Sequence, residues 1–260
     1  MSASMTVPFE GVGVALVTLF HDDGSVDAEG TAEHAARLVQ LGVTGVVVAG
    51  STGEAASLAP DERVVLLRAV RAAIPPGSGV AVVAGTGAPS ARQAEELTVT
   101  ACGEGVDAVL ALSAPGAADQ RPYYEALAKV TGDVPLLAYH YPAVSAPGIP
   151  VSMLPELPVA GCKDSSGDPN RLLETLRTWD SPLYVGSSAI LALAGPLGCA
   201  GAILALANAE PERCAAAFAG DASAQRQLAD AHAETLRAFP RGVKELTARR
   251  FGTSVTARMG

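Results

Sequence analysis

Two hydrophobic periods alternate along this chain. Short apolar runs of strand length occur at residues 11–18 (GVGVALVT), 44–50 (TGVVVAG), 79–85 (GVAVVAG) and 106–112 (VDAVLAL). Four more follow at 134–140 (VPLLAYH), 158–163 (PVAGCK), 182–186 (PLYVG) and 201–206 (GAILAL). Between them, segments such as DAEGTAEHAARLVQL, DERVVLLRAVRAAI and DPNRLLETLRTWD carry apolar residues three and four apart. The first pattern predicts strands and the second amphipathic helices, with Ser, Asp and Pro near the helix starts as entry signals. Near-continuous apolar strands are expected where a parallel sheet is covered on both faces. Eight strand–helix units therefore predict an α/β fold, a closed (β/α)8 TIM barrel. An open doubly wound sheet is the runner-up, but no GxGxxG follows the first strand. Residues 1–220 are expected to form the barrel. Residues 221–260, with ASAQRQLADAHAETLRAF and VKELTARRF, are expected to add helices packed on it.

Composition narrows the partners. Of 260 residues, 49% are hydrophobic and 17% charged, which gives ample material for a core. A net charge of −9 argues against nucleic acid and anionic membrane surfaces as partners. No apolar run approaches the roughly 18–20 residues that span a bilayer. The opening MSASMTVPFEG lacks a basic segment followed by an apolar one, so no signal peptide is expected. Cys102, Cys162, Cys199 and Cys214 show no CxxC pairing, and buried thiols in a reducing cytoplasm are the expectation. His21, His34, His140 and His232 lie far apart with no HxH or HExxH spacing, so no metal site is expected.

Reactive groups of such a barrel sit at the C-terminal ends of the strands. The chain has only three lysines, Lys129, Lys163 and Lys244, against 15 arginines. Lys163 closes the sixth apolar run. Period-two alternation puts it on one face with Val159 and Gly161, the latter leaving it room, and puts Ala160 and Cys162 on the other. If it points inward, burial lowers its pKa towards neutrality, and a neutral amine can attack a ketone to form a Schiff base. Snorkelling to solvent or pairing with Asp164 is the competing reading. Tyr139 closes the fifth run on the same face as Leu137, where its phenol could move a proton near the amine or could simply pack. His140 falls on the opposite face and reads as structural. At the end of the second run, Gly50, Ser51, Thr52 and Gly53 offer backbone N–H groups and two hydroxyls, either a carboxylate cradle or an ordinary βα turn.

In order and spacing these pieces resemble the dihydrodipicolinate synthase / N-acetylneuraminate lyase family of lysine-dependent 2-oxo acid aldolases. The shared stretches are GVGVALVTLFHDDGSVD, GSTGEAASL, VVAGTG, YHYP, GCKDSSGD and GSSAILALAGPLGCAGAILALAN. The resemblance implies a class I aldolase or lyase acting on pyruvate or another 2-oxo acid plus an aldehyde. Lys163 would be the Schiff-base lysine and Tyr139 the acid/base phenol. Ser51 and Thr52, with Gly50 in the same turn, would hold the substrate carboxylate, and Thr52 would join a proton relay. Ile203 would offer its carbonyl near the imine. The family implies no cofactor and a homo-oligomer, a dimer or tetramer.

The chain also departs from that pattern. Synthases carry paired tyrosines directly after the fourth strand. Here Tyr123 and Tyr124 come later, in the next helix. Synthases place an arginine for the second substrate's carboxylate after the fifth strand, where this chain has Val144. That change points to a 2-keto-3-deoxy sugar acid or 4-hydroxy-2-oxo acid as substrate. The alternatives are dihydrodipicolinate synthesis or a dehydration on the same scaffold. Two other readings are a non-catalytic 2-oxo acid-binding barrel and a phosphate-binding barrel using GSSA (186–189).

Overall fold

The computed structural model describes residues 7–259; residues 1–6, where no leader is expected, and residue 260 lie outside the described part. The strands are β1 (Gly11–Ala15), β2 (Gly45–Val48), β3 (Ala81–Gly85), β4 (Ala108–Leu112), β5 (Leu136–His140), β6 (Gly161–Asp164), β7 (Leu183–Val185) and β8 (Gly201–Leu204). Each pairs in parallel with the next, and β8 pairs with β1, so the sheet closes. The helices between strands are α1 (Ala28–Gln40), α2 (Pro60–Ala73), α3 (Ala91–Gly103), α4 (Arg121–Ala128), α5 (Pro169–Thr178) and α6 (Leu191–Ala194). After the last strand come α7 (Pro211–Phe218), α8 (Ala222–Gln227), α9 (Ala229–Arg237) and α10 (Arg241–Phe251). None among the described residues is long and apolar enough to cross a membrane. The fold is a (β/α)8 barrel with further C-terminal helices.

Local chemistry starts these helices where the sequence signals stand. Asp27, Ser90 and Asp168 each accept a hydrogen bond from a first-turn N–H, of Gly30, Gln93 and Asn170 respectively. The strands are shorter than the apolar runs because barrel pairing uses three to five residues of each. The run 222–239 is not one helix: it breaks at Leu228 into α8 and α9. Tyr123 and Tyr124 both lie in α4. The Tyr124 hydroxyl donates to Ala111 O (2.9 Å) behind the strands.

Strand alternation divides the core in two. Val12, Val14, Val46, Val48 and Val82 pack outward with helix residues such as Leu38, Leu66 and Val70. Ala15, Val47, Val83, Leu110, Leu137 and Ile203 fill the barrel. Phe9, just before β1, occupies the N-terminal end, where the Tyr184 hydroxyl donates to its carbonyl (2.7 Å). Each buried Val, Leu, Ile or Phe among them contributes about 1.5–3 kcal/mol relative to exposure. The filled lower barrel leaves the C-terminal mouth as the place for chemistry.

The chain's far end is tied to that mouth. Glu54, just after the 50–53 turn, accepts from Arg258 N (2.7 Å) and Met259 N (2.6 Å). Lys244 Nζ lies 2.5 Å from Glu54 Oε1 and donates to Thr256 O (2.6 Å), with both charged side chains fully buried.

Candidate active site

The register sets Leu112, Tyr139, Lys163 and Tyr184 side by side across four strands. Lys163 is buried, at 5% exposure. Asp164, next in β6, faces the other way and pairs with Arg171 (2.5 Å), whose guanidinium also donates to Ile149 O. Lys163 therefore neither snorkels nor pairs with Asp164, and among the described residues it makes no ion pair. Its Nζ stands 4.1 Å from the centroid of the Tyr139 ring, over the face rather than beside the hydroxyl. Burial pulls its pKa down to about 7. A large share of the amine is thus uncharged at neutral pH. The glycine beneath it has a different reason from the one expected. A Cβ on Gly161 would lie 2.7 Å from Pro182 O and 3.0 Å from Leu137, so that space belongs to neighbouring strands.

Tyr139 is buried, and its hydroxyl accepts from Ser165 Oγ at 3.4 Å, with Ser51 as a second hydroxyl partner. Burial pushes its pKa up to about 12 against the opposing pull of those hydroxyls, so it stays protonated. The Tyr141 ring stacks on it at 5.9 Å. His140 points outward, accepting at Nδ1 from Ile149 N (2.9 Å), and burial lowers it to about 4.

The turn after β2 is conformationally unusual. Ala49 (φ 54°) and Glu54 (φ 58°) are the only non-glycine residues at positive φ among the described residues, and they flank it on both sides. Such strain persists only where the surroundings hold it. Gly85 of β3 permits the close approach: a Cβ there would lie 3.0 Å from Gly50 Cα. Within the turn, Glu54 N donates to Ser51 O and Ala55 N to Gly50 O. The N–H groups of Ser51, Thr52 and Gly53 have no partner among the described residues, which suits them to an anion.

These pieces meet at a cavity of about 90 Å³. Lys163, Tyr139, Thr52 and Ile203 line it. Ser51 reaches it through the Tyr139 hydroxyl, and Gly50 supports the turn from behind without lining it. Of the opposite wall, sequence reasoning singled out only Ser187 and Ser188, in the GSSA turn after β7. It missed His232, Thr235 and Leu236 of α9 and Phe239 just beyond it. Positions 232, 235 and 236 share one face of α9, and Phe239 extends the wall past the helix end. The spacing was visible in the sequence; its destination was not.

Comparison with known proteins agrees with this architecture. The model of the dihydrodipicolinate synthetase family matches residues 8–251. A 4-hydroxy-tetrahydrodipicolinate synthase from Haloarcula marismortui is 35% identical over 230 residues, covering 83% of this chain and 74% of the relative. An uncharacterized DapA-like lyase from Halobacterium salinarum is 34% identical over 236 residues, covering 87% and 76%. Among solved structures, the chloride-inhibited dihydrodipicolinate synthase from Acinetobacter baumannii, complexed with pyruvate, superposes with a TM-score of 0.84 at 25% identity. The superposition covers 97% of this chain and 94% of that one. Because the matched span takes in the barrel and the α9 wall alike, the chain belongs to the dihydrodipicolinate synthetase family and is an enzyme of its lyase type.

Proposed function

We propose that this enzyme is a class I aldolase that forms an imine between Lys163 and pyruvate or another 2-oxo acid, then makes or breaks the adjacent C–C bond. The observation that carries the reading is a buried amine with no counter-charge, pulled down to about 7 at the mouth of a barrel. Neutral Nζ attacks C2 of the 2-oxo acid, and the carbonyl oxygen leaves as water after taking protons. The iminium then withdraws electrons as C3 loses a proton, and the resulting enamine carbon bonds to the aldehyde carbon. Protonation of the aldehyde oxygen gives the Lys163 imine of a 4-hydroxy-2-oxo acid. Water then adds at C2 and releases the acid with the free amine, and cleavage runs the same steps backwards. The imine is its own electron sink, so the reaction calls for no cofactor.

Tyr139, protonated at neutral pH, donates to the departing or newly formed oxygen. The free N–H groups around Ser51 and Thr52 hold the carboxylate, and Thr52, which lines the same cavity as the amine, takes part in the proton relay. Gly50 belongs to the same carboxylate-binding turn, and Ile203 offers its backbone carbonyl near the imine. Residues 1–220 carry this chemistry, and 221–260 form an extension that completes the site. The protein works in the cytoplasm as a homo-oligomer, dimer or tetramer.

The substrate class is a 2-keto-3-deoxy sugar acid or related 4-hydroxy-2-oxo acid, because no arginine among the described residues lines the cavity and Val144 is exposed. A second reading, 4-hydroxy-tetrahydrodipicolinate synthesis, is favoured by the names of the curated relatives. The test is incubation with pyruvate, borohydride reduction and peptide mass mapping. An adduct on Lys163 that Lys163→Ala loses supports the aldolase. No adduct on the folded protein, with larger 2-oxo acids also tried, sinks it and leaves a binding barrel. Turnover of pyruvate with aspartate semialdehyde in preference to glyceraldehyde would favour the synthase.

A further inference from the structure

The two ends of the cavity differ in kind. The inner end holds the amine, the phenol and the 50–53 turn. At the outer end stand Ser187, Ser188, Thr235 and His232, bordered by Leu236 and Phe239. Among the described residues, Lys163 is the only charged side chain lining the cavity. A carboxylate or phosphate at the outer end would therefore be desolvated with no cation beside it, which is costly. An uncharged carbon chain bearing hydroxyls would meet partners of both hydrogen-bonding senses.

The outer end is also held firmly. His232 Nδ1 lies 2.8 Å from Ser188 Oγ. Gln225 of α8 donates to Ser188 O (2.8 Å) and accepts from Ala192 N (3.0 Å), bracing the same turn from behind. The C-terminal helices thus fix the β7 turn at two points. Nε2 of His232 has no hydrogen-bond partner among the described residues. Burial lowers the pKa of the ring, so it is neutral at neutral pH and able to accept as well as donate.

From this geometry we infer that His232, oriented by Ser188, is a specificity-determining residue that reads a hydroxyl on an uncharged aldehyde half of the substrate. The inference rests on the aldolase reading and adds the residue that selects the second reactant. The C-terminal helices then act as one wall of the substrate site, beyond their part in covering the barrel.

The experiment compares kcat/KM for glyceraldehyde, propanal, glyoxylate and glyceraldehyde 3-phosphate, each with pyruvate, in the full-length wild type, His232→Ala and Ser188→Ala. The wild type is expected to favour glyceraldehyde over propanal by about ten- to a hundredfold, as sites built to bond a hydroxyl do, and to disfavour both charged aldehydes. His232→Ala should reduce the glyceraldehyde-to-propanal ratio by about tenfold, with a smaller fall for Ser188→Ala and partial recovery in His232→Asn. A ratio unchanged in both alanine variants, or wild-type preference for a charged aldehyde, overturns the inference. Borohydride trapping of pyruvate on Lys163 separates the two levels. With the adduct present and the ratio unmoved, only the role of His232 fails; with no wild-type adduct, the aldolase reading fails and this inference falls with it.

Discussion

Lys163 and Lys244 are both buried, yet they stand in opposite surroundings. Lys244 is enclosed by charge and dipole: Glu54 at 2.5 Å, the Thr256 carbonyl at 2.6 Å and the Phe20 ring face at 4.3 Å. Lys163 has a tyrosine ring face at 4.1 Å and no carboxylate partner. For Lys244, burial lowers the pKa while the Glu54 carboxylate raises it. For Lys163 only burial acts, and the value falls to about 7. A buried amine beside a carboxylate is a structural tie. One that lacks such a partner is a nucleophile waiting for a carbonyl. The two are linked, because Lys244 anchors the residue that ends the turn carrying Ser51 and Thr52.

Exchanging each lysine for methionine breaks this contrast most severely. Lys163→Met should abolish turnover, by about 10³-fold or more, since among the described residues no other amine lines the cavity. The same change should stabilise the fold at neutral pH by up to about 4 kcal/mol, because it removes a depressed pKa. Thermal unfolding beside an activity assay reads both effects. The size of this gain depends on pH. The stability associated with a neutral buried Lys163 is fully present above its ordinary value of 10.5 and is lost as pH falls to about 7. The advantage of the methionine variant therefore grows from pH 10.5 down to about 7 and is constant below.

Lys244→Met should do the reverse. It leaves Glu54 buried without its cation and should destabilise by about 3–5 kcal/mol in denaturant unfolding. Adding Glu54→Gln to it should recover part of that loss. Equal effects of the two lysine substitutions on stability would erase the comparison.

Much of the barrel was legible because parallel strands buried on both faces leave apolar runs, and period-two alternation then turned Lys163 and Tyr139 inward. The position of Lys163 needed only its own strand. Lys244 was illegible for the converse reason: its partner Glu54 is distant in the chain, and no local pattern joins them. The α9 wall was hidden likewise. Its stripe of His232, Thr235, Leu236 and Phe239 reads as a surface helix until tertiary packing sets it over the cavity. The break at Leu228 carried no glycine or proline to announce it.

The central claim is that Lys163 is neutral by burial and Lys244 is not available. The most direct measurement is the pH dependence of pyruvate trapping by borohydride, resolved by peptide at each of the three lysines. The account predicts label on Lys163 alone, with a trapping rate that rises through about pH 7 and levels off above it. A rate still climbing towards 10.5, or label carried by Lys129 or Lys244, would contradict it.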